Sequence, residues 1–431
     1  MKKIIALLLA VVMVLGLAAC GQAPAPAETK APEAAAPAET KAPEAEAPAA
    51  PEAITLKVWG PNEDQADDNS FLKVACEMFD EAHPEWEIDF VYEVCAEGDA
   101  GGMVSKDPSA AADVYMYAND QLGQLLQANA IARLGGDVEA QVKADNSEAM
   151  VATVSKDGAL YGVPYAINTW FMYYDKSVYT EEDIKSLDAM MAIKPIGFEV
   201  TNTWYLPAFY YAAGGSMFGP EGTDGAAGVQ FGGENGAAAT LYVANALAEG
   251  KMIEAGGGVG LDKMRSGEIG AMFSGTWDAK NYQDVLGENY AAAQLPCITI
   301  NGEECQLRSF AGSKAFGVNP NSANVKAASL LAAWLGSAEM QDLHYEIRNG
   351  EVVPCALTLL AGDKYAANAA AVAQEATFSN TSVIQPNIPE MGAYWNNANP
   401  MGQALVNGEI NADNAAAKTE EWNAGLNNTG L

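Results

Sequence analysis

The chain has 431 residues, with 56 acidic against 23 basic side chains and a formal net charge of −33 at neutral pH. So acidic a surface repels nucleic acid and anionic lipid, and it suits a neutral or cationic ligand better than an anionic one. Only two histidines occur, His83 and His344, which argues against a histidine-rich metal site or a Ser/His/Asp triad, and six cysteines without a CxxC pair argue against a disulfide framework.

The N-terminus sets Lys2 and Lys3 before an unbroken apolar run, Ile4 to Leu15, and then small residues up to Cys20. This is the pattern of a secretory signal over residues 1–19. The segment around Leu17, Ala18, Ala19, Cys20 and Gly21 resembles the bacterial lipobox, whose cysteine is acylated after cleavage. The apolar run is short of the ~20 residues a spanning helix needs, so the chain is expected to be anchored through Cys20 at the extracytoplasmic face of the cell membrane. Residues 20–53 are almost entirely Ala, Pro, Glu, Thr and Lys, with APAETKAPEA repeated at 25–34 and 36–45. Such a segment cannot build a core and is expected to be a disordered, extended linker.

From Ile54 the composition changes. Ile54, Leu56 and Val58 alternate with polar residues, Gly60-Pro61-Asn62 breaks the strand, and Ser70 is placed to cap a helix carrying Leu72, Ala75, Met78 and Phe79. Pro84 follows that helix, and Ile88, Phe90, Tyr92 and Val94 alternate again, completing a strand, helix, strand unit of a parallel sheet. A third strand is expected over 113–117 and a helix over 120–126. Further helices are expected over 182–191, 236–247 and 324–335, with short strands near 162–163 and 315–318. Ile298-Thr299-Ile300-Asn301-Gly302 signals a hairpin with a type I′ turn. Gly256 to Gly260 lacks the spacing of a phosphate loop and reads as a flexible turn. Cys76, Cys95, Cys297, Cys305 and Cys355 are expected as free buried thiols. The 54–431 module is long for a single core, which favours two α/β lobes with a ligand crevice at strand ends.

The run Gln385-Pro386-Asn387-Ile388-Pro389-Glu390-Met391-Gly392-Ala393-Tyr394-Trp395 resembles the segment that delivers a sugar-stacking tryptophan in maltose- and maltodextrin-type, family 1 extracellular solute-binding proteins of ABC importers. Leu56-Lys57-Val58-Trp59, Ala112-Asp113-Val114, Tyr117-Ala118-Asn119-Asp120, Tyr161-Gly162-Val163-Pro164, Tyr174-Asp175-Lys176, Gly270 to Trp277 and Phe316-Gly317-Val318 support the likeness, which extends from Ile54 onward. It implies a two-lobed α/β periplasmic-binding-protein fold of type II with a hinged cleft. Lobe I would take about 54–166 and 316–356, and lobe II about 171–310 and 362–431, with crossings near 166–170, 310–315 and 354–360. It also implies a maltooligosaccharide ligand, ABC permease subunits as partners, a monomer, and neither cofactor nor metal nor enzymatic activity.

A sugar has apolar C–H faces and a rim of hydroxyls, so its receptor needs flat aromatic platforms among hydrogen-bonding groups. The resemblance makes Trp395 and Trp277 stacking candidates, with Tyr117 at another aromatic position and Trp204 or Tyr205 supplying an aromatic pair of which one faces the cleft. Asp120, Glu63 and Asp64 are candidate hydroxyl acceptors. Where the family tends to carry Asp-Lys in the first loop and Glu at the crossing, this chain has Asp64-Gln65 and Asn168, and amides replace an arginine after Trp395. Those departures leave another oligosaccharide open as ligand. A lipid-anchored glycan-degrading enzyme would need a carboxylate pair that no motif singles out. Trp59 is expected in the core rather than at the ligand.

Overall fold

The computed structural model describes residues 50–428; the signal, Cys20 and nearly all of the linker lie outside the described residues. Strand β1 (Glu52–Gly60) begins two residues before Ile54. Helix α1 (Phe71–Ala82) leads back to β2 (Trp86–Val94), which runs parallel to β1. Ser70 does occupy the cap position, but its hydroxyl accepts from the Asp67 N–H at 3.1 Å and not from the helix. Strand β3 (Val114–Ala118) pairs parallel on the other side of β1 and ends in a tight turn, Asn119–Gln121, that opens α2 (Leu122–Gln127).

After β4 (Val163–Thr169) a single residue, Trp170, separates that strand from β5 (Phe171–Asp175). The helix expected over 182–191 is split into a turn, Asp183–Lys185, and α3 (Leu187–Ile193), because the Ser186 hydroxyl between them accepts from the Ala189 N–H and caps the second piece. Then come β6 (Ile196–Phe198), α4 (Gly233–Ala248), β7 (Met252–Glu254), β8 (Ala271–Ser274) and β9 (Tyr290–Ala293). Gly257 and Gly258 have positive φ and form the turn into a helix at Val259–Ser266. The hairpin is present as β10 (Cys297–Ile300) and β11 (Glu303–Gln306), with Asn301 at φ 52° and Gly302 at φ 79° as a type I′ turn demands. Strand β12 (Ser309–Val318), helices α5 (Val325–Leu335), α6 (Ala338–Ile347) and α7 (Ala369–Asn380), and the short β13 (Ser382–Ile384) follow. Helices α8 (Met391–Asn397), α9 (Asn399–Val406) and α10 (Ala415–Leu426) close the chain.

Among the described residues two large sheets result, beside three two-stranded ones, and both large sheets are mixed. In the first the order is β13-β12-β3-β1-β2, with β4 also paired to β12; β12 runs antiparallel to β3 and β4. The second has the order β7-β6-β8-β5-β9, with β5 antiparallel to β8 and β9. The antiparallel pairs come from strands that travel between the sheets, a feature the strand-helix-strand pattern of the N-terminal unit does not foreshadow. Pro164 has no N–H for a ladder, and the β4–β12 register slips at that point, between Lys314 and Ala315.

Alternation along β5 shows how the second sheet is covered on both faces. Trp170, Met172 and Tyr174 enter a large core with Phe198, Phe209, Phe273, Tyr394 and Trp422, whereas Phe171 and Tyr173 enter a smaller one with Met264, Met272 and Tyr282. The first sheet has its own core around Leu56, Val58, Phe71, Phe79 and Tyr115. These separate cores make the molecule two-lobed, and α8 to α10 belong to the core of the second lobe. All five described cysteines are free; Cys76, Cys95 and Cys355 are buried, while Cys297 and Cys305 are part-exposed because they lie on the hairpin.

Phe198 lies edge-on to Trp170, Tyr205 and Phe209 and against Phe273. Phe198→Ala should therefore destabilise the protein by about 3–5 kcal/mol, read as a lower urea midpoint; a loss under 1 kcal/mol would mean the core collapses around the gap.

Candidate ligand-binding cleft

The site is built where β8 and the segment before Tyr205 meet. Beyond β8 the chain turns through Gly275, and Trp277, 41% exposed, folds its ring back over that glycine. A Cβ on Gly275 would fall 2.0 Å from the indole, so glycine is required here by space and not by φ. The turn is pinned by the Tyr173 hydroxyl donating to the Gly275 carbonyl at 2.8 Å, and by Ser274 donating to Asp278 at 2.6 Å.

Trp204 stands beside Trp277, ring centres 5.9 Å apart at 39°. It rests on Tyr205 edge to face, and Tyr205 stacks on Trp170 at 4.8 Å. Its loop is tied down by the Tyr394 hydroxyl donating to the Thr203 carbonyl at 2.6 Å and by Thr201 donating to Glu254. The two part-exposed indoles form an angled apolar floor.

Polar groups come from the other lobe and from the crossing segment. Asp120, in the turn after β3, accepts from the Gln121 amide at 2.9 Å, with the Gln385 amide also near it. Burial raises its carboxyl to about 6, against the lowering effect of those amides and its own backbone N–H. Gln385 accepts from the Trp204 indole N–H at 2.7 Å. Asn168 is part-exposed on β4, opposite Gly312 of β12, and Glu63 is exposed in the first loop. Trp395 is half-buried, packed edge-on to Phe310 and Tyr394, and the Tyr394 hydroxyl bonds to Thr203, next to Trp204.

Three of the expected contacts are buried for identifiable reasons. Tyr205 is 3% exposed, because it is the prop beneath Trp204; of that pair, Trp204 is the one that reaches solvent. Tyr117 is wholly buried among the first core, its hydroxyl pressed against Gly162, where a Cβ would come within 2.2 Å. Asp64 is buried and bonded to His344 and Arg348, each at 2.9 Å, with Phe71 stacked on the imidazole at 3.9 Å. Burial alone would raise the Asp64 carboxyl, but His344 and Arg348 outweigh it and hold it below the ordinary value. Trp59 is buried, as its strand-end position suggests.

Sequence reasoning passed over Gln385, Glu97 and Lys314. Glu97 is a part-buried carboxylate accepting from Lys314 at 3.0 Å and from the Tyr165 hydroxyl at 2.9 Å. Gln385 opens the most telling motif of the chain, but there the tryptophan ten residues on drew the attention. His344 lies about 280 residues from Asp64 in sequence, and only the fold brings the two together.

The family profile described as bacterial extracellular solute-binding protein matches residues 75–373. The chain is 26% identical over 330 residues to a galactooligosaccharide-binding protein of Bacillus subtilis, covering 72% of this chain and 75% of that one. It is also 26% identical over 322 residues to a maltooligosaccharide ABC transporter solute-binding lipoprotein of Streptococcus pneumoniae, covering 70% and 74%. A solved structure determined with acarbose superposes with a TM-score of 0.82 at 47% identity, over 88% of this chain and 100% of that one.

Asp120 costs the fold something. With its folded pKa raised from 3.8 to about 6, the native state holds a proton in that window that the unfolded chain has released, so this group's contribution to stability falls as pH rises through it. Asp120→Asn should raise the urea midpoint at pH 7 and flatten this part of the pH dependence between pH 4 and 7; an unchanged profile would refute the assignment.

Proposed function

Because the chain belongs to the bacterial extracellular solute-binding protein family, we propose that it is the substrate-binding subunit of a carbohydrate ABC importer, capturing maltose or a longer α-1,4-glucan by hinge closure. The captured sugar passes unaltered to a membrane permease, and the protein acts as a monomer without cofactor. The observation that carries this reading is the angled indole pair Trp204 and Trp277, with Gln385 accepting from the Trp204 indole N–H. Indole faces match the C–H faces of a pyranose, and carboxylate and amide groups replace the water its hydroxyls lose. Trp395 extends the aromatic surface, and Glu63 and Asn168 are the further hydroxyl partners, whereas Tyr205, Tyr117 and Asp64 act from beneath by holding the floor and the first loop. We assign lobe I to about 54–166 and 316–356 and lobe II to about 171–310 and 362–431. The pneumococcal relative's name and the neighbour's acarbose support a glucan. The galactooligosaccharide-binding relative supports a second reading, in which another neutral oligosaccharide fills the same floor.

No helix among the described residues is long and apolar enough to cross a membrane. The proposed anchor is a diacylated Cys20, since two chains hold where one binds only marginally. The linker after it confines the receptor near its permease while letting it turn.

Calorimetry of the purified protein should give heat with maltotriose, and Trp277→Ala should weaken binding by roughly 1–4 kcal/mol, as expected of a stacked anchor. Heat with galactose oligomers alone would favour the second reading, and unchanged affinity in folded Trp277→Ala would remove that ring from the site. Cys20→Ala should shed or misprocess a protein that still binds sugar, while uptake by cells falls. Undiminished uptake by the shed form would make the tether dispensable.

A further inference from the structure

We propose that the ion pair Lys314–Glu97 is a further ligand-contacting element of the cleft, an adjacent donor and acceptor on the wall of the first lobe that recognises two neighbouring free hydroxyls on one ring of the oligosaccharide. The inference deepens the sugar-binding reading and rests on it.

Strand β12 brings this pair to the site. Its first residues are tied to the aromatic floor: the Ala311 carbonyl accepts from the Gln385 N–H at 2.8 Å, and the Gln385 side chain accepts from the Trp204 indole. Gly312 lies opposite Asn168, and Lys314, two residues on and so on the same face, lies opposite Ala118 of β3 and Ala166 of β4. At about 3.3 Å per residue, Ala311 to Lys314 spans about 10 Å of strand. The alanines across from Lys314 are small, and the lysine is the one residue of β12 that is not buried.

The turn that carries Asp120 docks on the same face. Asn119 lies over Gly312, where a Cβ would fall 1.7 Å from its Oδ1, and that oxygen accepts from the Ser313 N–H at 3.1 Å. The Asn119 side chain is buried, yet its Nδ2 has no hydrogen-bond partner among the described residues. Donor capacity is thus left unused over Gly312, the neighbour of both Asn168 and Lys314 on this face.

Glu97 comes from the loop after β2, and its carbonyl accepts from the Ala118 N–H at 3.1 Å, which places it at the end of β3. Its Oε1 takes both the Lys314 ammonium at 3.0 Å and the Tyr165 hydroxyl at 2.9 Å. Tyr165 is the extra residue where the β4–β12 register slips, between Ala166 facing Lys314 and Pro164 facing Ala315, and a bulge of this kind re-aims a side chain. The pair is held in place but not used up. Lys314 has three N–H groups and one hydrogen-bond partner among the described residues, and its side chain is 29% exposed against 13% for Glu97.

An ammonium only donates and a carboxylate only accepts, whereas a sugar hydroxyl does both. Two neighbouring hydroxyls therefore fit the pair, one accepting from Lys314 and the other donating to Glu97, and the charges strengthen both bonds. A ring substituted at either hydroxyl loses one of them.

Two measurements on the full chain test this. In the first, the amines of the wild-type protein are acetylated with and without maltotriose or galactotriose, and the peptides are mapped by mass spectrometry. Bound sugar should slow modification of Lys314 several-fold and leave the exposed Lys326 unchanged. In the second, Lys314→Met is compared with Lys314→Met/Glu97→Gln, which removes both charges at similar size, by thermal melts and calorimetry. The single variant strands the Glu97 charge and should melt lower, and the double variant should regain most of that loss. Affinity should fall about tenfold in both. If affinity returns with the melting temperature in the double variant, or if Lys314 reacts as fast in the sugar-bound protein, the pair is structural and the inference is overturned. Should the double variant fail to fold, the acetylation result decides alone. If the wild type gives no heat with either sugar, the sugar-binding reading itself fails and takes this inference with it.

Discussion

Trp170 is the residue on which the site depends. It alone separates β4 of the first sheet from β5 of the second, and it is buried completely, stacked on Tyr205 and edge-on to Phe198 and Phe273. Its neighbours in β5 alternate between two cores, so its position along the chain and its direction are both fixed by the sheet. Tyr205 inherits that position, and Trp204 inherits it from Tyr205. An exposed aromatic ring is ordinarily free to swing; here the cleft's platform is referred back, through two ring contacts, to the point where the chain crosses between lobes. Hinge and floor are then parts of one packed unit.

Electrostatics separates the carboxylates that are matched to charged partners from one that is not. Asp64 is buried and Glu97 part-buried, and each is matched to partners that overcome the cost of desolvation: His344 and Arg348 for the first, Lys314 and Tyr165 for the second. Breaking such a pair leaves an uncompensated charge, which makes each a fixed point of the first lobe. Asp120 has only amides. A carboxylate in that condition is costly to the free protein and correspondingly receptive to added donors, such as the hydroxyls of a sugar.

What could be read in the sequence was what is encoded locally. Asn301-Gly302 specified its turn because both residues adopt positive φ, and the first strand, helix and strand followed from period alone. The split at Ser186 was missed because a capping hydroxyl competes with a continuous apolar pattern. For the candidate site, the resemblance named segments but not the orientation of each side chain. Trp204 and Tyr205 are adjacent, and only the position of Trp170 decides which of them is prop and which is platform. Tyr117 and Asp64 stand at expected positions but turn inward, because Gly162 leaves room for the tyrosine ring and because His344 and Arg348, some 280 residues away in sequence, claim the carboxylate. Such long-range partners leave no local trace.

Gln385 is likewise placed by long-range pairing. A glutamine between a strand and a proline is unremarkable in sequence, since its role exists only once β13 has paired with β12 and the following residues have entered the second core. From that point the chain has no slack: β13 fixes the backbone on one side, Ile388 and Met391 fix it on the other, and Gly123 and Gly222 admit it without clearance. The Gln385 side chain, on a fixed backbone and bonded to the Trp204 indole, starts from a defined position before any ligand arrives. Ordering it on closure then costs little, and more of the contact energy at the indole floor remains as affinity.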